Sequence, residues 1–146
     1  PGAAHASVLR ALAPPLAARV EALGRRLPGL TRDRRVLAHG DFTPDQVLVR
    51  LDDDAVWLTD FDRSRLAPAE LDLGSCLAVV GPEAGAALLK GYADAGGDLP
   101  DGARLRAGIA HARMARLVEP LRHADPLWRT RIGQRLDELE ETCAAH

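Results

Sequence analysis

The segment from residue 35 to residue 62 interrupts an otherwise helix-rich chain with apolar stretches that are too short to be helices. Three of these stretches are typical of short β-strands: residues 35–38, 46–51 and 55–59. Three consecutive aspartates at 52–54 supply a turn between the second and third, which predicts a β-hairpin. A polar motif at residues 39–46, with the sequence HGDFTPDQ, therefore lies on the loop that leads into this hairpin.

Hairpin pairing should bring together residues that are separated in the sequence. Gln46 opens the second strand and Asp60 follows the third, so we expect both at one end of a small sheet, beside the loop that carries Asp41. Phosphoryl transfer requires a base that orients a hydroxyl nucleophile and oxygen ligands that hold Mg²⁺ against the phosphates. Mg²⁺ prefers carboxylate, carbonyl and water ligands. These residues indicate a phosphoryl-transfer site, with Asp41 as base and Gln46 and Asp60 as metal ligands.

Three features together resemble the C-terminal lobe of the aminoglycoside phosphotransferase and choline kinase family. They are the motif at residues 39–46, the strand that ends in Asp60-Phe61, and Asp72-Leu73 at the start of a helix. The resemblance runs from Val36 to Val80. It implies a mainly helical α+β fold, the C-terminal lobe of a protein-kinase-like fold, in which a small β-hairpin sheet carries the catalytic loop. It further implies that Asp41 is the catalytic base and that Asp60 acts as the Mg²⁺-binding aspartate of kinases.

The resemblance also implies an activity. We expect transfer of the γ-phosphoryl group of ATP, or of another nucleoside triphosphate, to a hydroxyl of a small molecule such as an aminoglycoside or other antibiotic, an amino alcohol or a sugar, with Mg²⁺ as cofactor. The family pattern has Asn where this chain has Gln46. Gln offers the same amide oxygen on a longer stem, so we interpret Gln46 as a variant ligand.

Three further residues are candidates for supporting roles. The resemblance implies that His39 packs behind the loop and bonds to backbone, and this structural role is favoured over that of a base. Asp62 either supports a ligand or caps a loop. Asp72 fits an ordinary helix N-cap, while the resemblance implies that it tethers the catalytic loop.

A complete kinase of this type also has a glycine-rich loop and a strand lysine paired with a helix glutamate. The only lysine is Lys90, which follows the motif in a helical stretch, and no GxGxxG spacing occurs. We therefore expect residues 1–146 to form a single domain without its N-terminal nucleotide lobe, which would be supplied in cis or in trans. The isolated chain would be inactive or weakly active.

The net charge, the apolar runs and the cysteines indicate which classes of partner and which compartment to expect. The net charge of −2 argues against nucleic acid and against an anionic membrane surface, which usually bind proteins with a basic excess. No apolar run approaches the ~20 residues of a membrane span. Cys76 and Cys143 lack the spacing of metal ligands or of a disulfide framework, which favours reduced thiols and a cytoplasmic chain.

Two other functions fit the same residues. In the first, the chain is a degenerate or truncated kinase lobe that binds a ligand or partner without turnover. In the second, His39, Asp41, Asp60 and Asp62 form a metal-dependent hydrolase site, since His and carboxylates also bind Zn²⁺ or Mn²⁺.

The rest of the chain is predicted to be helical. Helices are expected at residues 5–12, 16–27, 72–80 and 83–95, followed by two longer helices beyond Asp101. Pro120 should kink or end the first of these two. Apolar residues recur at spacings of three and four along both helices and predict core faces: Ala107, Ala110, Met114, Leu117 and Leu121, then Trp128, Ile132, Leu136, Leu139 and Cys143.

Overall fold

The structure is a computed structural model that describes residues 2–31 and 34–144, and it is mainly helical with two small antiparallel sheets. The helices are α1 (Gly2–Leu12), α2 (Pro14–Arg26), α3 (Glu70–Leu77), α4 (Pro82–Asp94), α5 (Gly102–Ala115), α6 (Glu119–Arg122) and α7 (Trp128–Ala144). The strands are β1 (Val36–Ala38), β2 (Val47–Val49), β3 (Val56–Leu58) and β4 (Arg65–Ala67). The chain divides into two compact units: residues 1–29 with 110–146, and residues 30–109.

The first unit has a hydrophobic core built from helix faces. The apolar stripes predicted for the last helices are confirmed: nine of their ten residues belong to this core or pack against it, and Ala107 is buried in the second unit. Leu9 of α1 and Val20 of α2 are fully buried in the same core. Arg19 of α2 bonds to two carboxylates of α7, with Nη2 2.7 Å from Asp137 and 3.0 Å from Glu140. Apolar burial therefore holds this unit together, and ion pairs lie at its rim.

Prolines set the helix boundaries in the first unit. α2 begins at Pro14, where a missing N–H costs nothing because the first turn of a helix leaves its amides unpaired. The expected break between the two N-terminal helices thus falls at Ala13. Pro120 lies in the first turn of the short α6, so it ends the helical run of α5 as predicted.

The second unit contains both sheets. β2 pairs with β3 in the predicted hairpin, with Leu48 opposite Trp57. β1 pairs instead with β4, a strand that was not predicted, so the expectation of one small sheet is wrong. The loop that carries Asp41 runs from one sheet to the other, and Asp60 lies on the return connection.

Apolar side chains on the strands of both sheets are exposed to solvent. In β1, Leu37 is 79% exposed, whereas Ala38 is buried. Trp57 and Leu66 are 47% and 65% exposed on the other strands. Each sheet has only two strands, so neither is wide enough to bury its own apolar side chains.

The helices of the second unit begin and end close to the predicted residues. α3 starts at Glu70, which places Asp72 inside the first turn, so the interpretation of Asp72 as an N-cap is wrong. α4 ends at Asp94, and Gly96 follows with φ +84°, a conformation that favours glycine. None of the helices in the described ranges has both the length and the apolar character needed to cross a membrane.

Candidate active site

Gly40 lets the motif loop turn sharply against the connection that follows β3. Its φ is +88°, which lies in the left-handed region that side chains other than glycine rarely adopt. A Cβ at this position would overlap the backbone carbonyl of Arg63. Residues 39–41 and 60–63 therefore lie side by side, although about twenty residues separate them in the chain.

Asp72 holds the start of the motif loop. One carboxylate oxygen accepts the His39 amide at 2.6 Å, and the other accepts the Gly40 amide at 2.9 Å. Charge-assisted bonds from two consecutive amides fix the backbone immediately before Asp41. Asp72 thus contacts the loop in the way that the family resemblance implies, from the first turn of α3.

His39 connects the loop to the end of the hairpin. Its side chain is buried, and Nε2 donates to the Thr59 carbonyl at 2.7 Å. Nε2 must carry the ring proton, because a carbonyl oxygen can only accept. The ring also lies against Phe61, with centroids 4.8 Å apart. Nδ1 is buried with no hydrogen-bond partner among residues 2–31 and 34–144.

Asp60 has an unusual backbone conformation, with φ 61° and ψ 57°. Asp is one of the few residue types that occupy this left-handed region at modest cost. The neighbouring Thr59 is held on both sides, because its amide donates to Gln46 O at 3.0 Å and its carbonyl accepts from His39. The hydrogen bonds of Thr59 therefore fix the backbone immediately before Asp60.

Gln46 lies in a short 3₁₀ turn, Pro44–Gln46, just before β2. Its Nε2 donates to Asp45 Oδ2 at 3.1 Å, which identifies the opposite end of the amide as the oxygen. The Thr59 hydroxyl lies 3.4 Å from that Oε1. Asp45 also accepts from the Thr43 hydroxyl, so it orients the Gln46 amide in addition to shaping the turn.

Asp41 is paired with an arginine that the sequence analysis did not select. Arg63 Nη1 donates to Asp41 Oδ2 at 2.7 Å. The Asp41 side chain is 36% exposed and the Arg63 side chain is 66% exposed, so the pair faces solvent. Arg63 follows Asp60 by three residues, and that position near the second half of the motif was the only signal available for it. Asp62 lies exposed in the same turn, Phe61–Arg63.

The donor set suits Mg²⁺. Gln46 and Asp60 are brought near each other at the end of the hairpin, because the amide of Thr59, which precedes Asp60, donates to the Gln46 carbonyl at 3.0 Å just beyond the β2–β3 pairing. One carboxylate and one amide oxygen form a modest set, but Mg²⁺ keeps several waters and takes further ligands from phosphates. The described residues contain no group of three or more His, Cys, Asp or Glu side chains arranged to hold a metal ion.

The mainly helical α+β fold fits a phosphotransferase of the kinase-like type. A sequence model described as the phosphotransferase enzyme family matches residues 1–108, and the chain therefore belongs to that family. No curated protein and no solved structure matches the chain.

Proposed function

We propose that this chain carries the catalytic loop and the metal ligands of a small-molecule kinase. The reaction is transfer of the γ-phosphoryl group of ATP, or of another nucleoside triphosphate, to a hydroxyl of an aminoglycoside or other antibiotic, an amino alcohol or a sugar. One observation carries the proposal: a continuous hydrogen-bond chain runs from Asp72 through His39 and Thr59 to Gln46. It connects the segments that bear Asp41, Gln46 and Asp60.

Asp41 is proposed as the base that orients the acceptor hydroxyl and receives its proton. Phosphoryl transfer depends mainly on positioning and electrostatic stabilisation, so the orientation of this carboxylate matters more than its basicity. Asp72 fixes the backbone before Asp41, and Arg63 fixes one of its oxygens. Arg63 would also place a positive charge beside the transferring group, where negative charge is concentrated.

Asp60 and the Gln46 amide oxygen are proposed to hold Mg²⁺, which supplies charge neutralisation of the phosphates when bound. Asp45 keeps the Gln46 amide in one orientation, so the side chain would not have to rotate before its oxygen binds the metal. His39 is proposed to act through structure, because its Nε2 donates to the Thr59 carbonyl and so links the motif loop to the end of the hairpin.

The proposal includes a nucleotide-binding lobe, supplied in cis or in trans, that covers the exposed strands. Leu37 and Leu66 on one sheet and Leu48 and Trp57 on the other are each about half to four-fifths exposed. Contiguous apolar surface of this kind is typical of sites that another protein element or a ligand covers. An adenine ring and the strands of a second lobe have the apolar character that such a surface would bind.

Transfer of labelled phosphate from ATP to a panel of hydroxyl acceptors tests the proposal. We expect Mg²⁺-dependent transfer that is weak for the parent chain alone and stronger when the nucleotide-binding lobe is supplied. Under the same conditions the rate should be lower by about 10²–10⁴-fold for Asp41→Asn, which keeps the size and the Arg63 acceptor but loses the base. Asp52→Asn, an exposed acid at the hairpin turn, is the matched control. Nucleotide binding without transfer to any acceptor would instead favour a lobe that binds without turnover.

A further inference from the structure

Among the acidic residues in the described part of the chain, Glu70 is the one most completely removed from water, and no site role has been assigned to it. Its side chain is 0% exposed at the first turn of α3. A buried carboxylate is costly unless it is paired and hydrogen-bonded. Both oxygens are satisfied here: Oε1 accepts the Thr31 amide at 3.0 Å, and Oε2 accepts Arg104 Nη2 at 2.8 Å.

Hydrogen bonds stabilise the charged form of the Glu70 carboxylate. Burial alone raises the pKa of the Glu70 carboxyl, but bonds from Arg104 and from the Thr31 amide outweigh burial, so that its pKa is lowered. Arg104 is itself fixed at the start of α5, where its amide donates to Asp101 Oδ1 at 2.8 Å. The pair therefore links the first turn of α3 to the first turn of α5.

A backbone contact lies beside the ion pair. A Cβ on Gly108 would overlap the carbonyl of Glu70, and a Cβ on Gly74 would overlap the backbone of Gly108. Side chains at either glycine would push the two helices apart. α3 and the adjoining turns of α5 are thus in direct main-chain contact on the side that carries Glu70.

Asp72 lies between these two anchors. Glu70 precedes it by two residues and Gly74 follows it by two residues on the same helix. The Asp72 carboxylate accepts the amides of His39 and Gly40, immediately before Asp41. A shift or rotation of α3 would therefore move the acceptor away from these amides, with little effect on the packing of the hairpin.

We infer that Glu70 and Arg104 are positioning residues. Together with the Gly74–Gly108 contact they hold α3 against α5, in the position from which Asp72 fixes the loop that carries Asp41. The kinetic consequence rests on the proposed function, whereas the structural consequence does not. Loss of the pair should loosen the loop selectively, because the loop depends on α3 through two hydrogen bonds from one carboxylate.

Native-state amide hydrogen exchange on the full chain tests the inference without any need for turnover. Glu70→Gln removes the charge and turns one of the two acceptors into a donor, which must face either Arg104 or the Thr31 amide, both of them donors. Arg104→Gln breaks the pair from the other side, and Arg104→Lys retains a positive charge. Glu83→Gln is the matched control, since Glu83 is likewise an acid in the first turn of a helix, α4, but is exposed. The amides of α4, in the same unit, give the reference rate.

We expect Glu70→Gln and Arg104→Gln to speed exchange of the His39 and Gly40 amides by about ten-fold or more relative to the α4 amides. Arg104→Lys and Glu83→Gln should stay within about two-fold of the parent. Equal acceleration of all amides in residues 30–109, an unchanged rate at His39 and Gly40, or loss of the folded state in both Gln variants would each overturn the inference.

A second readout separates this inference from the proposed function. If the parent transfers phosphate, the two Gln variants should lower kcat with little change in the nucleotide KM, and Arg104→Lys should recover most of the lost rate. A parent without transfer, combined with selective loosening at His39 and Gly40, would defeat the proposed function and leave the positioning role in place.

Discussion

Arg63 Nη1 donates to Asp41 Oδ2 at 2.7 Å and joins two loops that lie 22 residues apart in the chain. Both side chains face solvent, and exposed ion pairs contribute only about 0–1 kcal/mol to stability. The significance of this pair is therefore geometric. It restricts the rotation of the carboxylate that we propose as the base.

Replacement of Arg63 should affect turnover more than stability. We expect Arg63→Ala to lower kcat for phosphoryl transfer by about 10–100-fold, because a misplaced base loses near-attack geometry. The midpoint of urea unfolding should move by less than the equivalent of about 1 kcal/mol. Arg63→Lys should recover part of the rate, since it keeps one donor and the charge. Equal turnover in Arg63→Ala and the parent would show that the pair has no orienting role.

Gly40→Ala should destabilise the second unit. The substitution combines a φ of +88° with a Cβ that overlaps the Arg63 carbonyl, so we expect a loss of about 2 kcal/mol or more in the free energy of unfolding. Gly91→Ala, in the interior of α4 with open space around the added Cβ, should instead stabilise by about 0.5–1 kcal/mol. Chemical denaturation of both variants gives the comparison. Similar changes of one sign in both would contradict the assigned loop geometry.

A substitution at Asp60 should be tolerated only if the new residue can adopt the left-handed backbone conformation found there. Asp60→Asn should keep the fold, because Asn also adopts the left-handed region. Asp60→Val should cost about 1–2 kcal/mol, since a β-branched side chain clashes with its own backbone at φ 61°. Thermal unfolding of the two variants measures the difference. Val at the exposed position Leu51, outside the strands, is the control for the chemical change alone.

His5 predicts a pH dependence of stability in the first unit. Burial lowers the pKa of His5 below its ordinary value of 6.5, although Nε2 donates to the Ala115 carbonyl at 3.2 Å. The unfolded chain therefore binds a proton at a higher pH than the folded chain does. Stability should fall as the pH drops below 6.5 and should level off once the folded His5 is also protonated.

His5→Gln isolates this effect, because Gln keeps an amide donor for the Ala115 carbonyl but does not titrate. Urea unfolding between pH 7.5 and pH 5, followed by helix signal, should show a flatter pH profile for the variant than for the parent. Parallel profiles would mean that His5 makes no contribution to acid sensitivity.

Periodicity in the sequence was enough to predict the helical core, and turn chemistry was enough to predict the hairpin. The stripe from Met114 to Leu121 and the stripe from Trp128 to Cys143 are core faces because spacings of three and four repeat over several turns. The run of aspartates after β2 marks a turn between two β-branched and aromatic segments.

The parts that the sequence did not reveal depend on non-local geometry. β4 is three residues long and pairs with a strand almost thirty residues earlier, so no local pattern marks it. The Arg63–Asp41 bond and the orientation of Gln46 by Asp45 arise from turns whose directions are set only in the folded chain. The contact of Asp72 with the loop was implied by family resemblance alone.

Calorimetric titration of nucleotide tests the central claim, that Asp60 and Gln46 form a Mg²⁺ site beside Asp41. The account predicts that ATP binds the parent chain in the presence of Mg²⁺ and binds much more weakly without it. Asp60→Asn should abolish this Mg²⁺ dependence, whereas Asp52→Asn, an exposed acid at the hairpin turn, should retain it. Mg²⁺-dependent binding that survives in Asp60→Asn, or that is equally lost in Asp52→Asn, would contradict the site.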